Sequence, residues 1–456
     1  MIDHARNAFI FNTDKAHVDW HNEALWHVRK KRDQARDGVE DWELLRKHAS
    51  DIKEHTLHFL RHYLEEFEKN LQKNGWVVHW AVDASIHNQI IYELLHERDI
   101  RSVVKSKSML TEECGMNAFL EEKGIEIIDT DLGERIVQMA HDPPSHIVLP
   151  AIHMKKREIS KLFHDQLKTD PTNEDPEYLT GAARISLRQY LVDAKAAISG
   201  VNFGLASSGA VIVCTNEGNA DMGIHHSDVY IASMGIEKLI PGKDQLPVFL
   251  KLLARSATGQ AITAYTSHLV KPPPGKEYHI ILVDNGRTDI ITQDKYREVL
   301  KCIRCGACIN TCPVYRRSGG HSYGYSIPGP IGSVLAPLKD MQQFQTLPFA
   351  SSLCGSCTDV CPVRINLHEL LYQLRSEAIG QPSFSRSKKM MLKLLDHFLY
   401  QSSLYNMIGR LAGIMLKYMP HFLIYNRFNV WGRARELPEV PASTFRAWYK
   451  RQNKNG

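Results

Sequence analysis

The sequence predicts an α/β protein in which a Rossmann-like domain precedes a smaller helical module. Between residues 71 and 292, short apolar runs alternate with amphipathic helical patterns, as in mostly parallel sheets whose strands are joined by helices. Beyond this region, seven of the nine cysteines lie between Cys302 and Cys361. We therefore predict four regions: a helical segment over 1–70, the α/β domain over 71–292, a cysteine-rich helical module over 293–380, and a basic helical tail over 381–456.

Length and composition set the broad class. A chain of 456 residues with 43% hydrophobic residues is ordinary for a soluble protein of two or three domains. No apolar run is long enough and free enough of charge to predict a membrane span, and Met1–Asp14 does not resemble a signal peptide. The many unpaired cysteines fit a reducing compartment. We expect a cytoplasmic protein.

Charge is unevenly distributed along the chain. From Gln381 onward there are 13 Lys and Arg against 3 Asp and Glu, a net charge of +10, whereas the rest carries 43 against 48, a net charge of −5. Such a tail predicts docking to an acidic partner or to the anionic inner face of a membrane, although a simply solvated surface is an equal alternative. We expect no nucleic acid, because no aromatic groove motif accompanies the charge. The basic run Arg29–Arg32 near the N-terminus is predicted to be a solvated helix face.

The α/β pattern begins at Trp76. Four strands that alternate with helices are predicted before residue 151. They are Trp76–Val82, Ile100–Lys105, Ile125–Ile128 and Ser145–Pro150. A helix is expected over Thr180–Ser199, followed by a hairpin that turns at Ser207-Ser208-Gly209. A strand at Asp228–Met234, a helix at Leu246–Arg255 and a strand at His279–Asp284 complete the domain, and a short helix over Gln293–Leu300 leads into the cysteines.

Polar side chains follow the predicted strands. Lys107, Asp131 and His153 come after the second, third and fourth strands. Ligands usually bind at the carboxyl ends of parallel strands, so these residues are predicted to converge on one pocket. The alternative is loop polarity and helix capping, for which Asp131 is well suited.

Three further residues are candidates for reactive groups: Glu217, Cys114 and Cys214. Glu217, in Asn216-Glu217-Gly218-Asn219, could act as a carboxylate nucleophile or pocket residue, but a turn is the simpler interpretation. Cys114 and Cys214 are predicted to be buried structural residues rather than nucleophiles. No G-x-G-x-x-G opens a helix, so the sequence shows no nicotinamide or flavin fingerprint.

The cysteines form two runs. The first, Cys302-x2-Cys305-x2-Cys308-x3-Cys312-Pro313, has the spacing of [4Fe–4S] proteins. Zinc usually takes two paired C-x2-C knuckles, so iron–sulfur is favoured. In this pattern the fourth cysteine of one run ligates the other cluster. We therefore predict one cluster on Cys302, Cys305, Cys308 and Cys361.

The second run is one cysteine short. It reads Cys354-x2-Cys357-x3-Cys361-Pro362, and Ser351 stands where a fourth cysteine would complete the pattern. The second cluster is thus predicted on Cys312, Cys354 and Cys357. Its fourth ligand is open, with serine oxygen, water, a partner's residue or a three-iron cluster as alternatives.

These motifs resemble those of the lactate-utilisation iron–sulfur proteins, specifically the B component. The resemblance covers nearly the whole chain and is carried by the two cysteine runs and by five other segments: Lys105–Glu113, Thr130–Glu134, Pro144–His153, Thr215–Ala220 and Pro328–Gly332. It implies an LUD-type α/β domain, similar to CoA transferases and sugar-phosphate isomerases, fused to an α-helical ferredoxin domain with two 4Fe–4S clusters. The form Ser351-Ser-Leu-Cys-Gly-Ser-Cys also resembles the family's own.

The resemblance further implies a function. It indicates an iron–sulfur electron-transfer component that oxidises L-lactate to pyruvate together with two companions, an iron–sulfur subunit of the CCG type and a second LUD protein. The chain would then be a non-autonomous oxidoreductase subunit. The alternative is a CoA-transferase-like or ligand-sensing α/β enzyme in which the clusters have a structural or regulatory role.

Overall fold

The computed structural model describes residues 1–382, 384, 386–426, 440–441 and 443–453. The chain divides into two compact units, Met1–Ala378 and Ile379–Gly456. Parts of the predicted basic tail, at 383, 385, 427–439, 442 and 454–456, lie outside the described residues.

Four helices open the first unit: α1 (His4–Phe11), α2 (Lys15–Asp37), α3 (Trp42–His58) and α4 (Leu60–Lys73). The side chain of Asp14 caps α2 by accepting the backbone N–H of His17 at 2.9 Å. Leu25 of α2 and Trp42 of α3 are buried in the same core as Phe203 and Tyr315. The N-terminal helices therefore share one core with the α/β domain and the cysteine module.

Ten strands follow: β1 (Val77–Ala81), β2 (Ser102–Lys105), β3 (Glu126–Asp129), β4 (Ala196–Gly200), β5 (Phe203–Leu205), β6 (Ala210–Thr215), β7 (Val229–Gly235), β8 (Leu239–Ile240), β9 (Tyr265–Leu269) and β10 (Glu277–Val283). Six of them form a parallel sheet in the order β1-β10-β7-β4-β2-β3. β4 and β7 consist mostly of apolar and small residues because both faces of the sheet are buried at these strands. The predicted α/β class is confirmed.

The chain reverses its direction of travel between β2 and β4. From β2 it moves outward to β3, whereas from β4 it moves the other way to β7 and β10. This arrangement creates a crevice at the carboxyl ends of β2 and β4, the usual ligand position in open α/β sheets.

The other four strands form a small sheet in the order β8-β5-β6-β9. The antiparallel pairing of β5 with β6 confirms the hairpin predicted around Ser208-Gly209. The helices of this region are α5 (Ala84–His96), α6 (Met109–Glu113), α7 (Met116–Glu122), α8 (Leu132–Met139), α9 (Lys156–Leu167), α10 (Pro176–Val192), α11 (Asn219–His226), α12 (Leu246–Thr258) and α13 (Arg287–Ile291).

The cysteine module is helical. Its helices are α14 (Ala307–Thr311), α15 (Pro313–Ser318), α16 (Gly329–Lys339), α17 (Met341–Phe344), α18 (Ser356–Asp359) and α19 (Leu367–Gly380). The second unit contains α20 (Arg386–Tyr400), α21 (Ser402–Tyr418), α22 (His421–Ile424) and α23 (Phe445–Gln452). In the part of the chain that the structure describes, no helix combines the length and apolarity needed to cross a membrane.

Three sequence predictions were wrong. The segment Ser145–Pro150 is not a strand, because its polar groups bind the cysteine module: the Tyr315 hydroxyl donates to the Ser145 carbonyl oxygen at 2.7 Å. The helix predicted to continue to Ser199 ends at Val192, and the apolar run that follows forms β4 between β2 and β7. The helix predicted over Gln293–Leu300 is a short 3₁₀ turn at Arg297–Lys301.

Candidate metal centre and adjoining cavity

Four cysteines from both runs line one small cavity. Cys302, Cys305 and Cys308 come from the first run, and Cys361 is brought to them from the second. The rest of the lining is dominated by apolar side chains, including Ile303 and Ile331. The structure therefore gathers the four thiols that the crossed spacing rule groups together.

Local backbone geometry shapes this cavity. Arg304 and Gly306 both have positive φ, at 60° and 77°, which curls the chain between successive cysteines. The Arg304 backbone N–H donates to the sulfur of Cys302 at 3.4 Å, and that of Ile365 donates to the sulfur of Cys361 at 3.3 Å. Backbone N–H groups thus already point at two of the four sulfurs.

The donor set fits a metal cluster. Burial, with neighbouring thiolates, raises the pKa of Cys305 to about 12 and that of Cys361 to about 11, and it raises the pKa of Cys308 well above its usual range. Thiols buried in this way become thiolates together only when a positive centre compensates their charge. These residues would hold an iron–sulfur cluster, whose irons supply that charge.

The remaining three cysteines form a second group. Cys312 and Cys357 are buried and Cys354 is exposed. Burial, and after it Cys312 and Cys354, raise the pKa of Cys357 to about 12. The Ser351 hydroxyl oxygen accepts the backbone N–H of Leu353 at 3.1 Å.

A buried guanidinium lies beside this second group. Arg316 is 7% exposed, and its guanidinium carbon is 3.9 Å from the ring centroid of Trp26. Its Nε and Nη1 have no hydrogen-bond partner among the described residues. Cys312 and Cys354 both favour the charged form of Arg316, against burial, which lowers its pKa. Sulfur at this group therefore has a cation as a close neighbour.

The N-terminal helices hold the end of the second cysteine run. Arg32 on α2 donates to the carbonyl oxygen of Val360 at 3.1 Å, and Arg46 on α3 donates to that of Cys361 at 2.9 Å. Arg29 donates to the Thr311 hydroxyl. The predicted solvated face is confirmed for Lys30 and Lys31, which are exposed, and was wrong for Arg29 and Arg32, which bind a hydroxyl and a backbone carbonyl of the cysteine module.

A larger cavity of about 340 Å³ opens in the crevice between β2 and β4. Lys107, Asp131 and Glu217, three of the four residues predicted for an α/β pocket, line it together with Gly200 at the end of β4. A Cβ on Gly200 would lie 2.7 Å from the Ser108 hydroxyl, so the close approach of the two strand ends requires glycine. The structure thus places a cavity at the reversal of strand order.

Hydrogen bonds orient the charged groups of this cavity. The Lys107 ammonium donates to the Val148 carbonyl oxygen at 2.6 Å. The Glu217 carboxylate accepts the backbone N–H of Leu132 at 3.0 Å, and Asp131 caps α8. Although Glu217 is exposed, partial desolvation by the cavity wall and the nearby Asp131 raise its pKa to about 7. Glu217 is therefore a carboxyl group that can exchange a proton near neutral pH.

His153 lies elsewhere. Its ring nitrogens pair with Asp142 at 3.0 Å and with the Ser145 hydroxyl at 2.7 Å, and its ring centroid is 4.6 Å from that of His321. Because Ser145–Pro150 is not a strand of the sheet, the residue that follows it is not carried to the sheet's ligand edge. Among the described residues, His153 is not part of the 340 Å³ cavity lining.

Two protein-family models match separate stretches of the chain. Residues 64–289 match the LUD domain, and residues 298–365 match a 4Fe–4S dicluster domain. The chain is 40% identical to Lactate utilization protein B of Bacillus cytotoxicus over 439 residues, which cover 93% of this chain and 91% of that protein.

The chain belongs to the lactate utilization protein B family. Proteins of the same name from Macrococcus caseolyticus and Bacillus pumilus are 38% and 39% identical, and the matches cover 94% and 93% of this chain and 93% and 92% of theirs. The resemblance predicted from the motifs is confirmed. A solved DUF162 family protein from Deinococcus radiodurans matches 49% of this chain and 98% of its own at 12% identity, with a TM-score of 0.28 that supports no structural argument.

In this family member the cavity also contains charged residues that sequence reasoning missed. Arg287 forms a buried ion-pair triad with Glu113 at 3.1 Å and Glu237 at 2.5 Å, and all three line the cavity. Lys238 and Arg304 line it as well. Two of these residues had a signal in the sequence: Arg304 lies between two predicted cysteine ligands, and Glu113 ends the segment Lys105–Glu113 that carries the family resemblance. Glu237, Lys238 and Arg287 lie outside the quoted motifs, and the fold brings them to the cavity.

Cys114 and Cys214 behave as structural residues. Cys114 is buried in the core on one side of the sheet, and burial raises its pKa to about 12. Cys214 is the last residue but one of β6 and lines the cavity, and burial raises its pKa to about 11. Both thiols are therefore held in the neutral, weakly nucleophilic form.

Proposed function

We propose that this chain is the iron–sulfur electron-transfer component of a system that oxidises L-lactate to pyruvate, so that lactate serves as a carbon and energy source. The observation that carries the proposal is the single cavity lined by Cys302, Cys305, Cys308 and Cys361. The substrate comes from the relatives, which are named Lactate utilization protein B.

The proposal assigns two clusters. The first is held by the four cysteines of the thiol-lined cavity, and the second by Cys312, Cys354 and Cys357, with three thiolates. When bound, such clusters accept and release single electrons. The chain's own part is to exclude water with apolar walls, to donate backbone N–H groups to sulfur, and to place cations such as Arg316 nearby, all of which adjust the reduction potential.

Companion proteins complete the proposal. Lactate oxidation releases two electrons and two protons, and the sequence shows no fingerprint for a nicotinamide or flavin that would take them together. We propose that an iron–sulfur subunit of the CCG type and a second LUD protein act with this chain. The chain is then a non-autonomous oxidoreductase subunit, located in the cytoplasm.

The decisive experiment follows reduction of the clusters by lactate. The protein is purified without oxygen, and its visible absorbance and paramagnetic resonance spectra are recorded after addition of L-lactate, with and without the two companions. We expect roughly seven to eight irons per chain and reduction only in the presence of the companions. Zinc in place of iron, or no reduction in the complete mixture, would contradict the proposal.

Two variants test whether lactate-dependent reduction requires the first cluster. Cys361→Ser is expected to remove the spectrum of the first cluster and to abolish lactate-dependent reduction. Cys114→Ser changes a buried cysteine of a different core cluster from that of the buried cysteines of the two runs and is expected to retain both. Equal losses in the two variants would point to misfolding rather than to ligation.

A second candidate function is favoured by the 340 Å³ cavity. A CoA-transferase-like or ligand-sensing α/β enzyme would bind its ligand there, with the clusters structural or regulatory. Retention of ligand-dependent activity after loss of the first cluster in Cys361→Ser would support this function over electron transfer.

The second unit adds a proposed docking surface. Between Met391 and Tyr400 every side chain of α20 is exposed, and Met391, Leu394, Leu395 and Phe398 recur at helical spacing beside lysines. A helix with apolar and basic character of this kind binds at the interface of anionic lipid bilayers. We propose that the tail docks on the inner face of the membrane, and an acidic protein partner is the other outcome that a binding assay distinguishes.

A further inference from the structure

The 340 Å³ cavity and the thiol-lined cavity are immediate neighbours. Ile147, Ile303 and Cys305 line both of them. One of the four cysteines, Cys305, therefore lines the larger cavity itself, and Ile147 and Ile303 lie in the wall between the two cavities. The charge of a molecule in the larger cavity would act on the metal centre across a wall of low polarity, where electrostatic interactions are weakly screened.

Four cations and four carboxylates line the larger cavity, and two of the cations, Arg304 and Lys238, have neither a salt bridge nor a side-chain hydrogen bond among the described residues. Arg287 is paired with Glu113 and Glu237, which lie against it in the buried triad. Nη1 of Arg304 is buried and has no hydrogen-bond partner in the part of the chain that the structure describes. A buried donor without a partner is costly, so this end of the cavity is suited to an anion.

The rest of the lining suits an organic molecule rather than a bare ion. Asn202, Asn216 and Asn219 supply neutral amides, and Val213 and Leu253 supply apolar surface. A volume of about 340 Å³ falls in the range of pockets that enclose small organic ligands. Glu217 adds one group that can donate or accept a proton with the ligand's hydroxyl or keto oxygen.

We propose that this cavity binds an organic carboxylate, with its carboxylate group on Arg304 and Lys238, and that binding is coupled to the redox state of the cluster on Cys302, Cys305, Cys308 and Cys361. The coupling rests on the proposed function, whereas the binding site does not. Reduction adds negative charge beside the bound anion and weakens its binding. By linkage, the anion lowers the midpoint potential of that cluster.

Binding is tested first, by calorimetry on the anaerobically purified full chain. The carboxylate probes are L-lactate, pyruvate and the larger citrate. Inorganic phosphate is included as an anion that has no carboxylate group. We expect at least one carboxylate to bind, and Arg304→Met combined with Lys238→Met to weaken it at least tenfold. Arg304→Lys, which keeps the charge but loses the planar fork, should give an intermediate effect.

The matched control is Arg61→Met, which removes an exposed cation that is paired with Glu65 outside the cavity. It should bind as wild type does. Iron content, measured for every variant, separates a lost ligand site from a lost cluster. Absence of binding by all three carboxylates, equal binding of phosphate, or equal binding in the double variant would overturn the carboxylate site.

The coupling is tested by redox titration, which does not depend on turnover. A carboxylate that binds the reduced protein tenfold more weakly lowers the midpoint potential of the first cluster by about 59 mV at saturation. The potential of the second cluster serves as the internal reference. An unchanged first potential with a saturating carboxylate would overturn the coupling. The alternative is that Arg304 and Lys238 only balance the cluster's charge. In that case the midpoint potential of the double variant differs from that of wild type, but a carboxylate does not change the midpoint potential of wild type.

These outcomes are distinguishable from failure of the proposed function. A protein that contains iron, is reduced by lactate with its companions and binds no carboxylate contradicts this inference alone. A protein that binds a carboxylate at Arg304 but is never reduced by lactate contradicts the proposed function and leaves the binding site in place.

Discussion

The side chain of Arg46 on α3 donates from Nε to the carbonyl oxygen of Cys361 at 2.9 Å, which links the N-terminal helices to the last cysteine of the chain. Its Nη2 reaches the Thr358 carbonyl oxygen at 3.3 Å, and Glu43 pairs with its Nη1. One buried guanidinium thus fixes the backbone at the point where the second run meets the first.

The first prediction concerns this link. Arg46→Met is expected to lower the free energy of unfolding by about 1.5–3 kcal/mol, because two buried carbonyl groups lose a charged donor. It should also speed loss of the first cluster in air. Anaerobic urea unfolding and timed absorbance decay measure the two effects.

The control for Arg46 is on the same helix. Lys47→Met removes an exposed cation paired with Asp51, and such surface pairs contribute about 0.5 kcal/mol or less. If Lys47→Met and Arg46→Met were equally destabilising, the contact with Cys361 would have no special role.

The second prediction is a pH dependence from buried histidine. Burial lowers the pKa of His21 from its ordinary 6.5 to about 4, although its Nδ1 donates to the Arg316 carbonyl oxygen at 3.0 Å. Between pH 6.5 and 4 the unfolded state therefore binds more protons than the folded state. Stability is fully present above pH 6.5 and falls as the pH decreases.

His21→Gln removes this group from the titration. The slope of unfolding free energy between pH 6.5 and 5.5 should become shallower by up to about 1.4 kcal/mol per pH unit. Urea unfolding at both pH values measures it, and His62→Gln, at an exposed histidine of α4, should leave the wild-type slope. A slope that is unchanged in His21→Gln would assign the acid sensitivity to other groups.

The third prediction concerns the missing cysteine. In the proposed ligand set, the second cluster would have three thiolates and one iron without sulfur from the protein, and oxygen suits such an iron less well than sulfur does. We expect this cluster to lose iron first in air, through a three-iron form. Ser351→Cys should suppress the loss, and Mössbauer or paramagnetic resonance spectra during timed exposure follow it.

Ser352→Cys places a thiol one position later and is the matched control for Ser351→Cys. It should not protect the cluster, because the pattern steps back three residues from Cys354 to Ser351. Equal decay of both clusters in wild type would exclude a distinct iron in the second.

The fourth prediction tests the tail. Leu394→Ser combined with Leu395→Ser, at two exposed positions of α20, should weaken binding to vesicles containing phosphatidylglycerol severalfold. Binding should fall as salt rises and should be weak on phosphatidylcholine alone. Vesicle flotation measures it, and Ile185→Ser, an exposed apolar position on α10, is the control. Full binding by the double variant would remove α20 from the docking surface.

Sequence reasoning succeeded where the determinants are local. The x2 steps of the cysteine run and the apolar runs of the strands depend on neighbouring residues, so the thiol grouping and the sheet could both be predicted. Lys107 and Asp131 were predicted at one edge because they follow parallel strands, and both line the cavity.

It failed where distant contacts decide the structure. Arg32 is a surface cation by composition, but the Val360 carbonyl oxygen, 328 residues later, makes it a buried donor. Ser145–Pro150 has the composition of a strand, yet the His146 ring pairs with Asn310 at 2.9 Å and draws the segment onto the cysteine module. Its departure from the sheet also carries His153 away from the cavity.

The contact between α3 and Cys361 has a consequence for biosynthesis. Arg46 and its partner are 315 residues apart in sequence, so the N-terminal helices leave the ribosome long before the backbone that they fasten exists. The ligand set for the first metal centre is likewise incomplete until residue 361 has been made. Closure of the N-terminal helices over the module, and delivery of iron and sulfide to it, are therefore events of the nearly finished polypeptide.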